Sequence, residues 1–160
     1  MERSISLQRR LHVPVPLTAY SGELRQVLVN LIQNAAAAIG SKGRILVRVQ
    51  PRRLQTGDYV PPAEAFPGYS ITIADTGPGI ERKHRQQLFT LFFTTKGEQG
   101  TGLGLWLVRS MVEKQGGRIR FRSRTAAECD KPGTLFNIWI PLEPSSVPAS
   151  TVPDALSAVR

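Results

Sequence analysis

The stretch Tyr69-Ser70-Ile71-Thr72-Ile73-Ala74-Asp75-Thr76-Gly77-Pro78-Gly79 decides the fold. Its β-branched and aromatic residues at 69, 71, 72 and 73 are those of a strand. The strand runs into an aspartate and then a glycine-proline turn, which puts a carboxylate at a strand end, where a ligand can reach it. A carboxylate only accepts hydrogen bonds and so suits an exocyclic amine such as that of adenine, while glycine lets backbone approach a ring closely. An ordinary Asp-x-Gly turn has the same sequence, so the surroundings have to decide.

Towards the N-terminus, Arg44 to Gln50 (RILVRVQ) reads as a second strand, joined to the first by a proline-bearing surface excursion from Pro51 to Gly68. Before it, Leu24, Val27, Leu28, Leu31, Ile32, Ala35 and Ile39 recur at spacings of three and four, with Ser21 placed to cap the helix and Gly40 to end it. Ser4 to Leu17 alternates weakly and closes on Val13-Pro14-Val15-Pro16, which restricts it to a sheet edge. Towards the C-terminus, a short polar helix is expected around Glu81 to Leu88, then an aromatic cluster to Phe93 and the glycine-rich Gly97-Glu98-Gln99-Gly100-Thr101-Gly102-Leu103-Gly104. Leu103 to Gln115 is helical by its spacing, and Gly116-Gly117 stops it. Two strands follow: Arg118 to Arg124 sends Ile119 and Phe121 inward and arginines outward. Thr134 to Ile140 sends Phe136, Ile138 and Ile140 inward, with Asn137 and Trp139 on the other side. The expected architecture is α/β, an α+β two-layer sandwich with a mixed sheet and helices on one face.

The 160 residues suffice for one core, and apolar and charged fractions of 41% and 21% are those of a folded globular chain. From Glu143 the composition shifts to Pro, Ser and Ala without periodicity, so a folded domain is expected over 1–142 and a disordered tail or linker over 143–160. No run approaches the ~18 apolar residues of a membrane span, and Met1 to Arg10 lacks a signal-peptide core, which places the chain in the cytoplasm. Cys129, the only cysteine, has no partner for a disulfide and reads as a loop thiol. Lysine plus arginine number 21 against 12 acids, a net charge of +9 that favours an anionic partner. The basic residues are not interleaved with aromatic ones as in a single-strand binder, so nucleic acid is not the expected partner.

Three further patches could carry chemistry. Asn30 and Asn34 lie four apart on α-helical sequence, at one margin of the apolar stripe. A carboxamide oxygen is a hard ligand suited to Mg²⁺ that shares its shell with water and phosphate, although polar residues at the margin of a core have the same spacing. Gly100-Thr101-Gly102-Leu103-Gly104 opens a helix, whose free N–H groups and positive end favour an anion. Phe89 to Lys96 (FTLFFTTK) combines apolar anchors with a cation beside glycines, as a hinged lid would; Lys96 could meet a terminal phosphate or simply face water.

Taken in order, Asn-x-x-x-Asn-Ala, Asp-x-Gly-x-Gly-Ile, Phe-Phe-Thr-Thr-Lys and Gly-Thr-Gly-Leu-Gly-Leu resemble the N, G1, F and G2 boxes of the histidine kinase branch of the GHKL ATPases. The resemblance covers roughly Leu7 to Leu142, and Gly133-Thr134-Leu135-Phe136 looks like the family's closing adenine-contacting strand. It implies a Bergerat-type ATP-binding fold with ATP and Mg²⁺ as ligands. It further implies Asn34 on the metal, Asn30 supporting the phosphates and Asp75 on the adenine amine. Gly77, Gly79 and Thr134 would shape the adenine pocket. Gly100, Thr101, Gly102, Leu103 and Gly104 would cradle phosphates, with Lys96 beside them, under a lid from about Pro78 to Gly104.

The function so implied is transfer of a γ-phosphoryl group to a histidine on separate dimerisation and phosphoacceptor helices, with a response-regulator receiver domain engaged indirectly. His12 and His84 lack the acidic follower of a phosphoacceptor histidine and read as surface residues. The fragment alone is therefore expected to be monomeric and not to phosphorylate itself. Hydrolytic members of the superfamily carry a glutamate that activates water at what appears here as Asn30, and asparagine is a poor general base. A serine-kinase anti-sigma factor is a less similar relative, and a non-catalytic basic scaffold or nucleic-acid-binding module rests on the charge alone.

Overall fold

A computed structural model of the chain describes residues 4–54, 66–95, 97 and 100–143. The elements are β1 (Ser4–Leu11), α1 (Ser21–Ile39), β2 (Lys42–Leu54), β3 (Phe66–Asp75), α2 (Arg82–Arg85), α3 (Gly104–Lys114), β4 (Arg118–Arg124) and β5 (Gly133–Pro141). The strands form one sheet in the order β1-β2-β3-β5-β4, with β1 parallel to β2 and the other pairs antiparallel. This is the expected mixed sheet. Val27, Leu31 and Ala35 of α1 and Val108 and Val112 of α3 pack on Ile45, Ile71, Ile73, Phe136, Ile138 and Ile140, so the helices cover one face and the core is a single layer between them. Removing that apolar surface from water is the main stabilisation.

Several expectations shift at element ends. Ser21 is the first residue of α1 rather than its cap; Tyr20 occupies the cap position, and no side chain caps the helix. Glu23 supplies the favourable negative charge in the first turn instead and pairs with Lys114 of α3. Gly40, at φ 76°, ends α1 and donates its N–H to Ala36 O at 3.2 Å, as expected. The polar helix after the glycine turn is shorter than Glu81 to Leu88, being confined to Arg82–Arg85.

The β2–β3 hairpin extends further than the prolines suggested, with Pro51 opposite Tyr69 and Pro67 opposite Arg53. The physical reason is where the neighbours stop. β1 pairs with β2 only as far as Val49, and β5 pairs with β3 only as far as Gly68. Pro51 therefore sits on a locally open edge, and Pro67 offers only its carbonyl, which accepts from Leu142 N at 3.1 Å, so neither missing N–H breaks a ladder bond. The remainder of the expected excursion, residues 55–65, lies outside the described residues, as does the expected tail beyond Glu143.

β1 is the sheet edge, but it ends at Leu11 and not at Leu17. The chain beyond it is held instead by Tyr69: its buried hydroxyl accepts from Val15 N at 3.0 Å and donates to Val15 O. Trp139 lies, as expected, on the side of the sheet opposite Phe136, Ile138 and Ile140, but it is covered there. It is 4% exposed, its ring lies where a side chain on Gly68 would have to go, and its Nε1 donates to Arg52 O at 3.0 Å. The far side of the sheet is thus covered at its hairpin end.

Candidate functional site

β3 delivers Asp75 to the end of the sheet directly opposite Thr134, the second residue of β5. There a cavity of about 470 Å³ opens between α1, the ends of β3 and β5, the start of α3 and the segment 93–95. Asn34 and Ala38 of α1, Asp75, Gly79, Thr134, Gly100, Thr101, Gly102 and Gly104 all line it. Four patches separated by about a hundred residues of sequence therefore converge on one space.

Asp75 is fixed through one oxygen. Its Oδ1 accepts from Gly77 N at 2.8 Å and Thr134 N at 3.3 Å, and neither bond uses Oδ2. Burial pushes the carboxyl pKa above the ordinary aspartate value, and the two backbone donors pull it partly back. The result is a half-buried acceptor facing a cavity, the environment in which a complementary donor gains most.

Two glycines do more than leave room. Gly79 has φ 79°, and a β-carbon on it would stand 2.0 Å from Arg124 O, so the turn after Asp75 presses its backbone against the end of β4. Gly102 has φ 66°, and its β-carbon would fall 2.3 Å from the Phe92 carbonyl carbon. Any other residue would force the two backbones apart. Gly104 begins α3, and a β-carbon there would find Asn34 Nδ2 at 4.0 Å, which sets the helix start facing the asparagine across the cavity. The first N–H groups of that helix have no intrahelical acceptors.

Not every expected residue reaches the cavity wall. Gly77 is buried behind it, supporting Asp75. Leu103 is exposed at the helix cap position, with its N–H on Thr101 Oγ1 at 3.4 Å. Asn30, one turn before Asn34, is not among the lining residues and accepts from Gln26 Nε2 at 3.2 Å. Lys96 lies outside the described residues. His84, expected at the surface, is half-buried, lines the cavity and packs on Phe93 with ring centres 5.6 Å apart; His12 is exposed as expected.

Three residues that sequence reasoning passed over hold the turn carrying Gly79. Ser123 Oγ accepts from Ile80 N at 2.7 Å and lies 2.9 Å from Thr134 Oγ1. Arg85 Nε donates to Ile80 O at 2.9 Å, and its guanidinium pairs with Glu128. Arg85 first, then Arg82 and the Thr125 N–H, hold the Glu128 carboxyl far below the usual carboxylate range. The backbone of Ile80, a cavity-lining residue, is thus gripped at both its N–H and its C=O. One signal was available: 123 continues the inward register of Ile119 and Phe121, so a serine there is a buried polar group that needs partners.

Residues 20–144 match the model of the family described as histidine kinase-, DNA gyrase B-, and HSP90-like ATPase. Among curated relatives, sensor histidine kinase ZraS of Escherichia coli (strain K12) is 36% identical over 141 residues, covering 88% of this chain and 26% of its own. C4-dicarboxylate transport sensor protein DctB of Rhizobium meliloti (strain 1021) is 43% identical over 102 residues, covering 62% of this chain and 14% of its own. The chain therefore spans about a quarter or less of the length of these relatives. Among solved structures, mycobacterial sensor histidine kinase MprB superposes with a TM-score of 0.66 at 29% identity, over 86% of this chain and 81% of that one. The catalytic domain of histidine kinase ThkA gives 0.65 at 28%, over 88% and 80%. With the sheet order, the converging glycine and asparagine patches and a family match over most of its length, the chain belongs to the histidine kinase-, DNA gyrase B- and HSP90-like ATPases.

Proposed function

We propose that this domain binds Mg-ATP and passes the γ-phosphoryl group to a histidine on dimerisation and phosphoacceptor helices outside these residues, as the catalytic part of a two-component sensor kinase. The observation that carries this reading is one cavity with an oriented carboxylate at one end and a helix start facing an asparagine at the other. In it Asp75 accepts from the adenine amine, with Gly77, Gly79 and Thr134 shaping that end. Gly100, Thr101, Gly102, Leu103 and Gly104 cradle the phosphates, whose oxygens meet the open N–H groups at the start of α3, with Asn30 and Lys96 supporting them.

The described residues contain no cluster of three or more His, Cys, Asp or Glu that could hold a metal. A single amide oxygen from Asn34 fits Mg²⁺ only as an ion completed by water and phosphate oxygens, which is how Mg²⁺ is commonly bound beside nucleotides. When bound, the ion would neutralise phosphate charge. Phosphoryl transfer then needs mainly alignment: the imidazole nitrogen attacks the γ-phosphorus as the bond to the bridging oxygen breaks and ADP leaves. With asparagine at 30, no general base on α1 is placed to activate water, which favours transfer over hydrolysis. Among the described residues no helix is long and apolar enough to cross a membrane; we place the domain in the cytoplasm, monomeric by itself, with a receiver domain engaged through the phosphorylated helices.

Calorimetric titration with a non-hydrolysable ATP analogue, with and without Mg²⁺, tests the reading. Asp75→Asn replaces an acceptor by a group that can present a donor to a donor, and should weaken binding about 100-fold. Asn34→Ala should abolish the gain in affinity that Mg²⁺ gives the wild type. A well-folded wild type that binds no nucleotide would overturn it.

A further inference from the structure

The net charge of +9 is not explained by the cavity, which accounts for few of the basic residues. Register locates much of it. Gly43 faces α1, since a side chain there would meet Ile39, and Ile45 is in the core, so the residues between and beyond them point to the opposite side of the sheet. On that open side, β1 and β2 present Arg10, Arg44 and Arg48, with Arg10 paired to Arg48. At the other margin β4 presents Arg120, Arg122 and Arg124, outward of Ile119, Phe121 and Ser123. No outward position on the described strands carries an acid. None of these six arginines enters an ion pair among the described residues; Glu23, Glu81, Glu113 and Glu128 pair instead with lysines and arginines of the helices and loops.

What lies between the two banks is different in character. One row runs Leu46–Ala74–Leu135 and is apolar and half-buried. The next runs Thr72–Asn137, with the amide of Asn137 donating to Ser70 and Thr72 at 2.7 and 2.9 Å. From Arg48 through Thr72 and Asn137 to Arg120 is three strand spacings, roughly 14 Å. An α-helix with its side chains is about 10–12 Å across, so it fits between the banks.

We propose that this open face docks an acidic amphipathic helix of a protein partner lying along the strands, its apolar stripe crossing the Leu46–Ala74–Leu135 row and its flanking carboxylates on the two arginine banks. The choice of arginine suits carboxylates, which the guanidinium fork meets with two hydrogen bonds. The apolar row gives a peptide stripe something to cover that a phosphate backbone cannot use. The aromatic ring of Trp139 is buried rather than offered for base stacking, and the leucines are too recessed to enter a lipid layer. This face is separate from the nucleotide cavity, so the proposal stands or falls independently of the kinase reading.

The test is fluorescence anisotropy with a labelled synthetic helix bearing leucines three and four apart, flanked on both sides by glutamates. Its scrambled isomer, with identical charge, is the control. Duplex DNA and phosphatidylserine vesicles are the competitors. The chain should bind the amphipathic peptide about tenfold more tightly than the scrambled one. Arg48→Glu and Arg120→Glu, one in each bank, should each weaken it about tenfold with an unchanged thermal midpoint. If reversal unsettles the sheet, Arg48→Gln and Arg120→Gln should still weaken it by a smaller factor in the same order. Equal binding of the two peptides, wild-type binding by variants in either bank, or stronger binding of DNA or vesicles than of the peptide would each overturn the proposal.

Discussion

The two walls of the cavity are built on different principles. The wall around Asp75 is held by bonds between residues far apart in sequence: Ile80 to Ser123, Asp75 to Thr134, and Arg85 to Glu128. On the glycine-rich wall, Phe93, Gly100 and Leu103 each bond within their own turn, to Thr90, Gly97 and Thr101. The first wall is cross-braced into the sheet and is pre-organised before any ligand arrives. The second is shaped by the absence of side chains, above all where Gly102 meets Phe92. Such a division suits a ligand with one rigid end and one charged, flexible end.

Gly102→Ala should break this contrast most sharply. The added methyl collides with Phe92 backbone at a positive φ, and the wall, where Phe93, Gly100 and Leu103 bond within their own turns, gives way instead of straining the core. The expected result is about 30-fold weaker binding of the ATP analogue at a cost of only ~1 kcal/mol in stability, read by calorimetry and denaturant melts on the same sample. An equal and large loss in both would mean the glycine wall is as integral as the other.

Ser123→Ala reverses the pattern. It leaves the half-buried Ile80 N–H and the buried Thr134 hydroxyl short of a partner, which costs about 2 kcal/mol, or roughly a 6 °C drop in melting temperature. Affinity should fall about tenfold through displacement of Ile80. Unchanged stability would show that the cross-bracing is not what fixes this wall.

The smallest effect is in pH. Because burial raises the Asp75 pKa in the folded chain, its contribution to stability is fully present below the unfolded pKa and is lost as pH rises through the folded value. With Asp75 accepting from the adenine amine, as proposed, nucleotide binding should change in the opposite sense, strengthening by a few-fold over the same interval. Opposite slopes in melting temperature and affinity, both abolished in Asp75→Asn, are the expected signature. Parallel slopes would assign the titration to another group.

Much of this was legible beforehand, for reasons that can be named. Runs such as Ile71 to Ala74 and Arg44 to Gln50 carry their strand signal locally, and the stripe from Leu24 to Ile39 does so for α1. The Asp75 turn and the glycines before α3 were legible because their chemistry is written in adjacent residues. The Ser123–Ile80–Arg85–Glu128 grip was not, because it joins residues up to 43 apart that are unexceptional in isolation. Alternation put Trp139 on the correct side of the sheet but carried no information about what covers that side. Asn30 and Asn34 share a helix face, yet only the second is level with the cavity, a matter of height along the axis that periodicity leaves open.

The hydroxyl of Tyr69 has one more consequence. By holding Val15 from both its N–H and its C=O, it bolts the connection between β1 and α1 to the centre of the sheet. A load applied at β1 is therefore grounded in β3 before it reaches α1, and the outermost strand can peel from β2 while the helix that carries Asn34 keeps its place. In mechanical terms the edge strand is a sacrificial layer and Tyr69 is the rivet behind it.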